Sequence, residues 1–283
     1  MAGFVAVLTA AAGVSEAAVG DVLRCLPEGA GAPHRQSARA VDVAFSSDTR
    51  PELGAFDGFD VNILPAAGRR KQVLIADMDS TIITVECIDE LADFVGQKAR
   101  VADITERAMR GELDFEAALD ERVAMLKGVA EHQISACYEQ RVRVSDGAQS
   151  LVQTMNDQGA MTALVSGGFT VFTDRIAGRV GFQMSRANVL EFDGEALSGT
   201  VSRPIVTSDT KLATLKQLCR DRGVSLADAV AVAVAAAVAV AVAIVTAVAA
   251  AVVAATIVVA IAARKKHQNS QIVWSRSTVC RKL

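Results

Sequence analysis

Two carboxylates stand two residues apart where a short apolar run ends. The run covers residues 72–76, and it leads into the sequence Asp77-Met78-Asp79-Ser80-Thr81. Side chains at positions i and i+2 of an extended segment point to the same side, so Asp77 and Asp79 can face one ligand. Two carboxylates held close together shift each other's proton affinity unless a cation lies between them. The pair therefore suits a nucleophile, a general acid–base and Mg²⁺ acting on a phosphate group.

Two other interpretations of this acidic pair need to be weighed. A calcium-binding EF-hand loop needs Gly at its sixth position and Glu at its twelfth. Those positions are Ile82 and Ile88 here, which excludes that loop. An acidic turn in which Ser80 and Thr81 cap a helix stays open on the spacing alone.

A second polar cluster follows another apolar run, residues 161–165. It reads Ser166-Gly167-Gly168-Phe169-Thr170 and is predicted to lead from a strand into a helix. Glycines let the backbone approach a ligand, and a helix N-terminus offers free N–H groups to an oxyanion. An ordinary strand–helix turn is the alternative. A nucleophile elbow is excluded, because Leu164 stands where that motif requires its first glycine.

Lys211 is the third candidate. It lies near the start of a predicted helix over residues 209–222, for which Ser208 is the expected N-cap. A single lysine on a helix is usually a solvated charge, and Lys211 draws attention only because it follows the two clusters above.

The elements that would position these residues indicate an α/β fold. The runs 72–76 and 161–165 are continuous and apolar, as in buried parallel strands. Helical spacing between and after them predicts a doubly wound parallel sheet, with helices over 87–95, 97–109, 115–127, 131–142 and 209–222. The helical block at about 86–142 is too long for one crossover and is expected to form a cap. Residues 1–70 predict a small N-terminal α+β domain, and 71–228 the main domain.

Composition narrows the class of protein. The chain has 283 residues, of which 51% are hydrophobic, 22% charged and 4% aromatic, and its net charge is −3. The apolar content excludes a disordered chain. The few aromatics and the negative charge argue against nucleic-acid binding. Five cysteines without CxxC spacing favour reduced thiols and a cytoplasmic location.

The two clusters and Lys211, in this order, resemble the motifs of the haloacid dehalogenase superfamily of phosphotransferases. The longer run from Asp77 through Glu86 to Glu90, together with Ser166-Gly-Gly-Phe-Thr, is similar to the phosphoserine phosphatases within it. The resemblance covers about residues 72–228, and residues 1–70 resemble the variable N-terminal domain of these enzymes only loosely.

The resemblance implies a role for each motif residue. Asp77 would attack phosphorus and form an aspartyl-phosphate. Asp79 would protonate the leaving oxygen of O-phospho-L-serine and then activate water, in the pathway that makes L-serine. Both aspartates would hold Mg²⁺, Asp79 through its main-chain carbonyl. Ser166, the Gly167 amide and Lys211 would bind the phosphate, as phosphoryl transfer requires.

In the cap, the same resemblance implies contacts to the amino-acid part of the substrate. Glu86 would face its ammonium and Arg122 its carboxylate, while Met109 and Phe115 would close over them. The alternative is that Glu86 and Arg122 are surface charges and that Met109 and Phe115 belong to the core.

The end of the chain departs from this family. A fourth motif should follow the lysine and supply another metal-binding Asp, but Val234 and Ala237 stand at its Asp and Asn positions, and no acidic residue follows Asp228. Residues 229–263 are only Ala, Val, Ile and Thr, and 264–283 form a basic tail. Three explanations of this segment remain open. It could be a membrane helix that tethers the protein, or a frameshifted or otherwise mis-specified C-terminus. The chain could also be an impaired relative that only binds phosphate ligands.

Overall fold

A computed structural model of the chain describes residues 2–110 and 112–233. The N-terminal part is an antiparallel sheet in the order β2-β3-β1-β4 with one helix against it. Its elements are β1 (Ala2–Thr9), α1 (Glu16–Cys25), β2 (His34–Ser37), β3 (Ala40–Ser47) and β4 (Asp60–Pro65). Leu8 and Val43 of the sheet pack with Val22 of the helix in one buried cluster. Strand β2 was not expected from the sequence, because all four of its residues are exposed and no apolar pattern marks it.

The central part is a parallel sheet in the order β10-β5-β6-β7. Its strands are β5 (Val73–Ala76), β6 (Met161–Phe169), β7 (Met184–Asn188) and β10 (Ala229–Val232). Leu74 of β5 packs into one core and Val73 and Ile75 into another on the opposite face. Since both faces are covered, β5 has no polar position, as expected of a strand in a parallel sheet. The predicted α/β fold with a parallel sheet is confirmed.

Seven helices of the described chain surround this sheet or extend from it. They are α2 (Cys87–Phe94), α3 (Lys98–Met109), α4 (Phe115–Ala124), α5 (Glu131–Arg141), α6 (Ala148–Asp157), α7 (Thr170–Val180) and α8 (Ser208–Asp221). The first four follow β5 along the chain. A hairpin of β8 (Leu190–Asp193) and β9 (Ala196–Val201) lies against α4, and Gly128 N donates to Leu197 O at 2.8 Å.

Two local features differ from the sequence-based expectations. Strand β6 continues through the glycines to Phe169, so α7 begins only at Thr170. The N-cap of α8 is Thr207 rather than Ser208, because the Thr207 side chain accepts a hydrogen bond from Thr210 N. In agreement with the sequence, which indicates a strand within residues 226–232, the run of small apolar residues begins in the sheet as β10, which pairs with β5 in the register Val232↔Ala76.

The remaining expectations for the C-terminus fall on Val234, Ala237 and the basic tail, which lie outside the described residues. Within the described ranges, no helix combines the length and the apolar character needed to cross a bilayer.

Candidate active site

Asp77 is the first residue after β5, at the carboxyl edge of the parallel sheet. Its backbone N–H donates to Val232 O at 3.0 Å, which ties it to the neighbouring strand β10. Its Oδ1 accepts from Met78 N at 2.8 Å, and its Oδ2 accepts from Lys211 Nζ at 2.6 Å. The Asp77 and Lys211 side chains are only 14% and 15% exposed. Helix α8 therefore brings Lys211 across the sheet edge onto the Asp77 carboxylate.

Asp79 lies in a wide turn, Met78–Ile82, that precedes helix α2. Its Oδ1 accepts from Cys87 N, the first residue of α2, at 2.9 Å. Ser80 in the same turn has φ +51°, an uncommon conformation for a residue with a side chain. Its Oγ donates to Glu86 Oε1 at 2.6 Å, and its N–H donates to Val85 O. These contacts join the turn to the start of α2.

Burial is the main cause of the altered proton affinity of Asp79. Burial and, to a smaller extent, the nearby carboxylate of Glu86 together raise the pKa of Asp79 to about 7, against the hydrogen bonds from Cys87. A carboxyl group with this pKa is partly protonated near neutral pH. Asp79 can therefore donate a proton and later accept one.

The segment Ser166–Gly168 passes beside both aspartates. Ser166 is buried, and its Oγ accepts from Gly168 N at 3.0 Å, which leaves its hydroxyl hydrogen available to a ligand. Gly168 comes so close to Asp79 that a Cβ built there would lie 2.6 Å from Asp79 Oδ2. The position therefore requires glycine for a close approach, not for a left-handed backbone.

The start of α2 and helix α4 contribute two opposite charges, Glu86 and Arg122. Burial raises the pKa of Glu86, and burial lowers the pKa of Arg122, although each is partly offset by the other's charge. Arg122 Nε donates to Ala118 O at 3.1 Å, so its terminal nitrogens can face a ligand. Phe115, at the start of α4, lies over Gly167: a Cβ built on that glycine would be 3.4 Å from its ring.

These residues line one cavity of about 320 Å³. Eight of the nine predicted site residues line it: Asp77, Asp79, Glu86, Phe115, Arg122, Ser166, Gly167 and Lys211. Met109 ends α3, and its side chain lies outside the described part of the chain.

Sequence reasoning missed other lining residues, which are Ser80, Ile88, Leu119, Gly168 and Phe169. Ser80 and Gly168 stand inside the two motifs, so their position in the motifs was a usable signal. Ile88 and Leu119 lie on helices α2 and α4, where an apolar residue ordinarily indicates core.

The donor set fits Mg²⁺ with a phosphate as a further ligand. No group of three or more His, Cys, Asp or Glu side chains that could hold a metal occurs in residues 2–110 and 112–233. Mg²⁺ is nevertheless commonly held by one or two carboxylates together with substrate phosphate and water. The Asp77 carboxylate and the Asp79 main-chain carbonyl supply oxygens of the required hard type.

The sequence profile of the haloacid dehalogenase-like hydrolases matches residues 74–236, which is more than half of the chain. The chain belongs to this family. The match begins in β5 and includes all the cavity residues described above.

Individual relatives of this haloacid dehalogenase-like hydrolase agree with that assignment. A phosphoserine phosphatase of Polaromonas sp. is 45% identical over 166 residues, which is 57% of this chain and 70% of the relative. A solved structure of a phospho-aspartyl intermediate analogue of phosphoserine phosphatase is 31% identical, with a TM-score of 0.53, covering 58% of this chain and 78% of that one.

One solved structure also extends over the N-terminal sheet. It is a probable phosphoserine phosphatase from Vibrio cholerae in unliganded form, 27% identical, with a TM-score of 0.68. The similarity covers 84% of this chain and 75% of that one.

Proposed function

We propose that this hydrolase is a Mg²⁺-dependent phosphoserine phosphatase, which converts O-phospho-L-serine and water to L-serine and phosphate. One observation carries the proposal: a single cavity is lined by Asp77, with Lys211 on it, by Asp79, and by the oppositely charged Glu86 and Arg122. The first group suits a phosphate, and the pair suits an amino acid. The names of the relatives support the same substrate.

The first step is attack on phosphorus by the free lone pair of an Asp77 carboxylate oxygen. The bond from phosphorus to the serine oxygen breaks, and Asp79 donates its proton to that oxygen, so that L-serine leaves neutral at its hydroxyl. Lys211 offsets the negative charge that Asp77 and the phosphate bring together. The Ser166 hydroxyl and the Gly167 N–H donate to the phosphate oxygens.

The second step is hydrolysis of the aspartyl-phosphate. Asp79, now ionised, takes a proton from water as the water attacks phosphorus, and the bond to Asp77 breaks. Phosphate leaves, and both aspartates return to their starting state. Asp79 can serve both steps because burial holds its pKa near 7.

Mg²⁺ would be held by the Asp77 carboxylate and the Asp79 main-chain carbonyl. When bound, it would neutralise phosphate charge and orient the phosphate for in-line attack. Because the chain supplies few ligands of its own, the phosphate is expected to complete the site.

The charges of the cap account for the choice of an amino acid. Glu86 is exposed and Arg122 half-buried, but both are partly desolvated, and an opposite charge beside each stabilises its ionised form. A zwitterion supplies both: its ammonium can face Glu86 and its carboxylate can bind the terminal nitrogens of Arg122. A phosphomonoester that lacks either group would forgo the contact with Glu86 or with Arg122 and is expected to bind more weakly.

The test is phosphate release from O-phospho-L-serine by the purified chain of confirmed intact mass, with and without millimolar Mg²⁺. We expect Mg²⁺-dependent turnover that the Asp77→Asn variant loses. Asp157→Asn, an exposed change at the end of α6, is the matched control and should retain full activity. Saturable binding of phosphoserine by folded wild-type protein without phosphate release would refute the enzyme and leave a binding protein.

A further inference from the structure

The Ser166–Gly168 segment leaves the regular pairing of the sheet. Strand β6 pairs with β7 at Val165↔Arg186 and again at Phe169↔Asn188. An advance of four residues along β6 therefore corresponds to an advance of two residues along β7. The residues between them bulge away from β7 and lose regular backbone partners on that side. A buried carbonyl without a hydrogen bond is costly, so such a bulge needs another donor.

Asn188, the last residue of β7, supplies that donor. It is 2% exposed, and its Nδ2 donates to Gly167 O at 2.7 Å. The N–H of the same peptide group, at Gly168, donates to Ser166 Oγ. Glycines on either side would otherwise let this peptide rotate freely. The two hydrogen bonds hold it in one orientation, and with it the Ser166 hydroxyl.

The other end of the same carboxamide reaches the segment that carries Lys211. Asn188 Oδ1 accepts from Val206 N at 2.7 Å. Val206 immediately precedes Thr207, the N-cap of α8, and Lys211 N donates to Thr207 O in the first turn of that helix. A single side chain thus connects the glycine segment to the helix whose lysine contacts Asp77.

We propose that Asn188 is a positioning residue for the phosphoryl group, which sets the separation between the Gly167 peptide and Lys211. The inference rests on the proposed function, because it assumes that these two groups bind one phosphate. The side chain must be an amide, since it needs a donor at one end and an acceptor at the other. A carboxylate in its place would retain the acceptor for Val206 N but set an oxygen against Gly167 O.

The test compares Asn188→Asp with a matched control at Asn156. Asn156 is also an asparagine bonded at both ends: its Nδ2 donates to Gly181 O at 2.7 Å and its Oδ1 accepts from Thr162 Oγ1 at 2.8 Å. Thr162 is the second residue of β6, so this second carboxamide lies toward the opposite end of the strand from Gly167. Asn156→Asp therefore removes the same kind of hydrogen bond, from a side-chain amide to a main-chain carbonyl, away from the cavity.

The readout is the equilibrium dissociation constant, by calorimetry with Mg²⁺ present, of inorganic phosphate and of L-serine separately. We expect Asn188→Asp to raise the dissociation constant of phosphate at least tenfold. The dissociation constant of L-serine should stay unchanged, since the substitution leaves Glu86 and Arg122 in place. Asn156→Asp should leave both within twofold. A purely structural role would weaken both ligands together, or affect both variants alike, and would overturn the inference.

Asn188→Ser and a wild-type measurement cover the case in which Asn188→Asp does not fold. Serine has one short hydroxyl in place of the two-ended carboxamide and cannot hold both Gly167 O and Val206 N as Asn188 does, so we expect an intermediate loss of phosphate affinity. In wild-type protein, phosphate should shift the side-chain amide NMR signals of Asn188 and not those of Asn156. Unchanged Asn188 signals on saturation refute the positioning role alone, whereas no phosphate binding by folded wild type refutes the proposed function as well.

Discussion

Gly168→Ala is expected to disable the enzyme without unfolding it. The added Cβ would lie 2.6 Å from Asp79 Oδ2, roughly 0.8 Å short of an ordinary 3.4 Å contact. Asp79 cannot simply turn aside, because its other oxygen accepts from Cys87 N. The carboxylate must therefore move by much of that distance from the position in which it can exchange a proton with the substrate.

A displacement of this size should slow proton transfer strongly but change the free energy of unfolding only slightly. Misplacing a reacting group by about 1 Å can cost roughly 10²-fold in rate, which corresponds to about 2.7 kcal/mol of activation free energy. Gly168 does not have the positive φ that would strain an alanine. We therefore expect kcat to fall about 10²-fold while the thermal unfolding midpoint stays close to that of the wild type.

The assay is phosphate release from O-phospho-L-serine at neutral pH, with thermal unfolding measured on the same samples. Gly178→Ala is the matched control, because Gly178 lies inside α7 with nothing within 4 Å of a built Cβ. It should be fully active and slightly more stable. A Gly168→Ala enzyme within threefold of wild-type kcat would refute the reasoning that the contact with Asp79 limits this position.

Three further predictions concern charges and thiols. Lys211→Met leaves the buried Asp77 carboxylate without its ammonium partner and should lower kcat/KM by roughly 10²–10³-fold, as measured by phosphate release. Arg122→Met should raise KM for phosphoserine roughly tenfold or more. The KM for O-phosphoethanolamine, which has no carboxylate, should stay within twofold of the wild-type value. Equal changes of KM for both substrates would contradict the assigned contact. Burial raises the pKa of Cys137 to about 11, so its reactive thiolate forms only as the pH rises toward that value. At pH 8, peptide mapping after iodoacetamide should show alkylation of exposed Cys25 and none of Cys137; rapid labelling of Cys137 would contradict its burial.

Local sequence determined much of the architecture. The run at 72–76 predicted β5 because a strand covered on both faces can carry only apolar residues. The helical spacing at 87–95 and 131–142 predicted α2 and α5 to within one residue at either end, since the 3.6-residue period is a property of each segment by itself. In contrast, β2 was missed, because its pairing with β3 is the only reason that its exposed residues form a strand.

The candidate site likewise combines features that the sequence predicts with features that only the fold determines. The motif spacing singled out Asp77, Ser166 and Lys211 as the residues of interest, because their types carry the chemistry. Only the tertiary structure decided that Lys211 reaches Asp77 Oδ2 across 134 residues of chain. Only the tertiary structure decided that Asn188 joins the glycine segment to α8. Neither contact follows a local period, since each depends on where parallel strands end beside one another.

The proton affinity of Asp79 was also decided by packing. The sequence by itself shows an acidic residue two positions from another one and predicts that the two interact. Its pKa near 7 comes first from burial and next from Glu86, with Asp77 the smallest contribution. Residue types and spacing thus determined which groups are available for phosphate chemistry. The folded environment determined their protonation, separation and orientation, because those depend on desolvation and on contacts between segments distant in the chain.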